Sequence, residues 1–234
     1  MVRTLYGKAN KGINRIWWDL SHEPSIVPKL RVAPPDKPWV PIRQEGWRPL
    51  VTWDLDLWRG QLGPRVVPGT YTVKVSVADQ EVTKKLEVRK DPHSVGTVEE
   101  INKQVVFGLE IRDQLNEVVV IINEIEWIRK EFEDLVTRLK DTRDEKQVES
   151  IISKAQELNN RVTEIESNLY DINLTGARED AFRNPMKLYG RISALGSDIM
   201  YNGADFAPTQ QQVEVFDKIE NEFEITKEAY NKWG

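Results

Sequence analysis

Asp54 and Asp56 stand one residue apart between Trp53 and Trp58, and they are the nearest thing in this sequence to a catalytic pair. On an extended strand they would share one face about 6–7 Å apart, a spacing that suggests the acid and nucleophile of glycoside hydrolysis. That chemistry needs carboxylates on opposite sides of the scissile bond, and neighbours on one strand approach from the same side. Solvated carboxylates at a strand end are therefore the expected reading. His22 and His93 lie far apart in loop contexts, with no further ligand at helical or hairpin spacing, so no metal site is expected. Cysteine is absent, which removes disulfides, thiolate ligands and cysteine nucleophiles. Nucleophile elbows, phosphate loops, dinucleotide fingerprints and H-E-x-x-H are missing too. The expectation is a chain with no catalytic residue and no cofactor.

Tryptophan is the other candidate chemistry. Trp17, Trp18, Trp39, Trp47, Trp53 and Trp58 are six of the eight in the chain. Such rings stack on sugars, or fill a small core or a domain contact, each contributing about 150–250 Å² of burial. Packing is the expected use, with a carbohydrate platform as the alternative. Adjacent Trp17 and Trp18 must point to opposite faces of a strand. Trp18, Trp39, Trp47 and Trp58 are the candidate ligand or interface residues.

The elements that carry these residues divide sharply. Ten of the twelve prolines precede residue 93, and Asp91-Pro92-His93-Ser94 reads as the linker. Before it, Tyr71, Val73, Val75 and Val77 alternate with Thr72, Lys74 and Ser76, the period of a half-buried strand. A turn at Ala78–Glu81 and a return through Val82, Leu86 and Val88 predict a hairpin opened by Pro68-Gly69. Residues 14–20 and 50–57 also read as strands, with the proline-rich 21–49 as an excursion loop. Residues 1–92 are thus expected to form an immunoglobulin- or fibronectin-like β-sandwich. After the linker, Thr97 and Glu100 form a capping box for a helix over 97–141. Its stripe runs Ile111, Leu115, Val118, Ile122, Ile125 and, after Arg129, Phe132. A second stripe covers 148–172, a third helix opens at Asn184-Pro185, and Thr209 with Gln212 caps a fourth. Residues 93–234 are expected to be an antiparallel up-and-down bundle of about four helices that folds on its own. The fold class is α+β in two separate domains.

Charge follows the same boundary. Residues 1–92 carry 16 Lys/Arg against 10 Asp/Glu (+6), and residues 93–234 carry 17 against 28 (−11). No continuous basic patch emerges, so nucleic acid is not an expected partner. No apolar run approaches the roughly 20 residues of a membrane span. The N-terminal residues lack a signal peptide's apolar stretch, so the chain stays where it is made or is cut from a longer precursor.

Gly12-Ile13-Asn14-Arg15-Ile16-Trp17-Trp18-Asp19-Leu20 resembles a G-x-N-R-x-x-W-D-L strand found after the propeller of bacterial secreted BNR-repeat proteins, a sortilin-like and glycosyl-hydrolase-like group. Val67 to Val73 resembles their P-G-x-Y-T-V hairpin, and Leu188–Leu195 with Ala204–Thr209 resembles their helical tail. The resemblance implies either the C-terminal part of an extracellular or periplasmic protein whose β-propeller lies elsewhere or a stand-alone relative of that part. Any hydrolase activity would then belong to that propeller. The implied partner is the chain's own propeller domain or another protein, with a glycan as the alternative, no membrane, and a monomer or weak dimer. The expected function is a non-catalytic accessory module.

Overall fold

The computed structural model describes residues 1–51, 57–140, 145–183, 185–200 and 204–233. Its backbone is α1 (Val98–Lys140), a helix of 43 residues. The expected capping box starts it: the Thr97 amide donates to Glu100 Oε2 at 2.7 Å and the Glu100 amide to Thr97 Oγ1 at 3.1 Å. Ile111, Leu115, Val118, Ile122 and Ile125 are fully buried along one stripe. Helix α2 (Glu145–Leu169) turns back along the C-terminal half of α1. A single turn, α3 (Asp180–Arg183), precedes α4 (Leu188–Met200). Helix α5 (Gln210–Trp233) opens on the expected Thr209–Gln212 cap, with the Thr209 amide 2.8 Å from Gln212 Oε1.

The directions of these helices differ from an up-and-down order. Gln104 Nε2 donates to the Ile199 carbonyl, and Gly108 and Ile111 lie beside Met200 and Gly196, so α4 runs antiparallel to α1. On α5, Phe216 packs edge-on to Phe107 and Lys227 pairs with Glu117, so α5 runs parallel to α1. The order is up, down, down, up. At about 1.5 Å per residue α1 is roughly 65 Å long, enough for α2 and α4 to lie on it one after the other. Asn184, expected to open the third helix, lies outside the described residues, and that helix begins only at Leu188.

No sandwich forms. The first 92 residues contain two separate two-stranded antiparallel sheets among the described residues, β1 (Lys29–Leu30) with β2 (Arg48–Pro49) and β3 (Gly69–Val77) with β4 (Gln80–Val88). Residues 14–20 make no strand; of the segment 50–57, residues 52–56 lie outside the described residues, and Leu57 begins a 3-10 helix, Leu57–Gln61. Two sheets facing one another are what a sandwich core requires, and here neither sheet faces another.

The proline-rich stretch is a strap laid along α1, in place of the expected excursion loop. The Ile26 amide donates to Asn116 Oδ1 (2.8 Å) and the Lys29 amide to Asn123 Oδ1 (2.7 Å). Further on, the Arg31 and Val32 amides both donate to Glu126 Oε2, Val32 at 3.0 Å. The periods match: three extended residues advance about 10 Å, and so do seven helical ones. Prolines suit such a segment because side chains of the helix, and not a full ladder, satisfy its amides. Leu30 and Leu50 consequently enter the same apolar cluster as Ile122, Leu169 and Ile192.

Glycine permits the closest approach in this arrangement. A Cβ on Gly60, in the 3-10 helix, would sit 2.0 Å from the Ser193 carbonyl oxygen of α4. Gly60→Ala is expected to cost about 1–3 kcal/mol by overpacking, seen as a lower urea midpoint at constant slope. An unchanged midpoint would mean that the two elements separate freely. Gly108 has a similar role, with Pro64 and Met200 3.1–3.2 Å from its would-be Cβ, and α1 continues through it.

Candidate functional site

Three of the four candidate tryptophans, Trp18, Trp47 and Trp58, each have a separate partner, and Trp39 is exposed. Trp18 donates its indole N–H to the Ser21 carbonyl (2.9 Å) and meets Tyr71 edge-on at 5.7 Å between centroids. Lys29 Nζ lies 5.5 Å from the Trp47 ring and the Arg59 guanidinium 5.4 Å from Trp58. Trp17, 78% exposed, carries Arg15 at 5.5 Å, and Trp39 is 74% exposed. A cation over a ring is attracted to the π-face on which a sugar would stack. Trp53, Asp54 and Asp56 lie outside the described residues.

The histidines stay apart as well. His22 is partly covered, and burial, then the Arg112 charge, hold its pKa below the ordinary value. His93 is exposed in the segment before α1. Among the described residues no three His, Cys, Asp or Glu side chains are grouped to hold a metal ion. No helix among them is long and apolar enough to cross a membrane.

A different polar group occupies the middle of the molecule. Glu126 and Arg129 lie one turn apart on α1, and Glu166 and Tyr170 one turn apart at the end of α2. Arg129 Nη1 pairs with Glu166 Oε2 and stands 3.7 Å from Glu126 Oε1. Tyr170 donates its hydroxyl proton to Glu126 Oε1 at 2.7 Å. Glu126 Oε2 receives the two strap amides, and Arg48 of β2 donates to the Val32 and Leu174 carbonyls at 3.2 and 2.8 Å. Both carboxylates are wholly buried. Burial first, then the Glu126 charge, push the Glu166 carboxyl well above its ordinary pKa against the pull of Arg129. Burial and the two carboxylates raise the Tyr170 phenol similarly.

Paired carboxylates and a phenol of altered acidity resemble an acid–base site. General acid–base chemistry, though, requires the proton donor within reach of a substrate, and here both carboxylates are sealed and their oxygens are engaged by the chain itself. Their evident work is mechanical: two carboxylates and two guanidiniums clasp strap, α1 and α2 together. The sequence held a signal for this group. Arg129 interrupts an apolar stripe at a core position, and a charge there must find a buried partner.

The remaining unusual surface is the β3–β4 hairpin. Tyr71 pairs with Leu86, Val73 with Lys84, Val75 with Val82 and Val77 with Gln80. This register puts Val73, Val75, Val77, Val82 and Leu86 on one face, interrupted by Lys84 and, at the turn, Gln80. The opposite face carries Thr72, Lys74, Ser76, Glu81 and Lys85, joined by the Lys74–Glu81 ion pair at 2.7 Å and the Lys85–Thr72 bond at 2.9 Å. The apolar face is uncovered: its five aliphatic side chains are 37–56% exposed. Only Tyr71 and Val88, at the base, are partly covered.

Comparison with known proteins gives no match to any family model, curated protein or solved structure.

Proposed function

We propose that this chain is a non-catalytic accessory module that packs against another protein surface, with the β3–β4 hairpin as its docking element. The observation that carries the reading is the uncovered face of Val73, Val75, Val77, Val82 and Leu86. A lone two-stranded hairpin is marginal in water, and an apolar ribbon with a polar reverse side is built to be covered on one side. Contiguous exposed apolar surface marks interaction sites in soluble proteins. The segment Gly12–Leu20, whose sequence resembles a post-propeller strand, meets the hairpin base through Trp18 and Tyr71. On this reading the covering surface is a neighbouring domain of the same secreted polypeptide, and any catalysis resides there.

Hydrogen exchange tests this. Amides from Tyr71 to Leu86 are expected to exchange rapidly in the isolated chain, since hairpin opening there costs little. In a polypeptide expressed from the full reading frame they should slow by at least about 100-fold, the equivalent of nearly 3 kcal/mol of added protection. Equal exchange in both would remove the hairpin as the docking element. A reading frame without a further domain would remove the propeller.

A further inference from the structure

A second surface, independent of the hairpin, lies between α1 and α5. A groove of ≈ 890 Å³ lies between these parallel helices, lined by residues of 102–117 on α1 and of 213–224 on α5. Its floor is apolar, with Val106 47% exposed and Phe107 and Phe216 beneath it. Its walls are mostly acidic, and the one cation in the lining, Lys103, is paired with Glu99 at 2.9 Å. Glu110 rises from α1 and Asp217 and Glu220 from α5, and among the described residues none of the three has an ion-pair partner. At one end Lys227 bridges Glu117 and Glu224 at 2.7 and 3.4 Å. Gln114 also lines the groove; it is only 8% exposed, and its buried Oε1 has no hydrogen-bond donor. Buried acceptors are normally satisfied, so the groove shows unmet demand for N–H donors as well as for positive charge.

We propose that this groove receives an amphipathic helix of a partner protein, apolar along one stripe and flanked by lysine or arginine. The wall of α1 from residue 102 to 117 is about 24 Å long, which four turns of helix would fill. A helix laid there meets α1 and α5 on the side away from α4, making the fourth member of a four-helix cross-section. Leucine-type residues at spacings of three and four rest on Val106 and Phe216. Cations on the flanks reach Glu110 on one wall and Asp217 and Glu220 on the other. This is helix-in-groove recognition with charge fixing orientation.

The probe is a 16-residue amidated peptide of leucine and lysine only, with leucines at helical spacing, titrated against the full chain at 150 mM salt. Saturable one-site binding is expected, with the peptide becoming helical. The double variant Glu110→Lys/Glu220→Lys, both exposed positions, should weaken it at least tenfold. Glu157→Lys/Glu164→Lys on α2, an equal charge change outside the groove, should leave affinity within twofold. A scrambled peptide of the same composition should bind at least tenfold more weakly, and spermine should not displace the helical peptide at equal concentration. The proposal is overturned by absent binding, by equal binding of the scramble, by displacement with spermine, or by an equal loss in the α2 control.

Discussion

Arg129→Met should lower the stability of the whole chain by about 3–5 kcal/mol, the largest single-residue effect expected here. The guanidinium stands between two wholly buried carboxylates, pairing with Glu166 and lying 3.7 Å from Glu126. Methionine fills a similar volume, so little of the loss comes from a cavity. What remains is two buried carboxyl groups facing each other, with Arg48 and Arg31 the cations that still act on them and Glu166 stripped of its charge-assisted partner. Urea denaturation at pH 7 measures the loss. Glu166→Gln should behave differently. The folded chain holds the Glu166 carboxyl above its unfolded pKa, so its favourable contribution is complete below pH ~4.5 and is lost as pH rises through the folded value. The deficit of Glu166→Gln relative to the unaltered chain should accordingly shrink as pH rises from 5 to 8. A loss below about 1 kcal/mol for Arg129→Met would show that water reaches the cluster and screens it.

Leu30→Ala should melt the helices. Leu30 belongs to the first 92 residues by sequence, yet it is wholly buried in the cluster that contains Ile122, Leu169 and Ile192. Truncating a buried leucine costs about 2–5 kcal/mol. For a chain of this size each kcal/mol lowers the melting temperature by about 2–4 °C. The helical circular-dichroism signal should therefore melt roughly 5–20 °C lower, in one transition that includes the strap. Were the two halves autonomous, the helical transition would stay in place, because no residue of the bundle has changed. The expectation of an independently folding helical half rested on its four apolar stripes alone. The strap adds a contact those stripes do not contain: residues 25–32 lie along one side of α1, with amides donated to Asn116, Asn123 and Glu126.

Local chemistry determined much of this protein directly. The Thr97–Glu100 and Thr209–Gln212 boxes set two helix starts, because each satisfies its own orphan amides within four residues. The stripe Ile111–Ile125 named the buried face of α1, since helical period and burial are one geometry. The alternation from Tyr71 to Val77 gave a strand and its apolar face. What covers that face is not a local property, and there the expectation of a sandwich failed. An alternating strand reads the same whether its partner sheet exists or not. The proline-rich 21–49 likewise has no internal period, because its amides are satisfied by helix side chains some 90 residues away. Arg129 and Glu166 meet across 37 residues, and Arg48 joins their cluster from a different element again. The tertiary structure alone decided these pairings, for a buried charge specifies that it needs a partner but not where in the chain that partner lies.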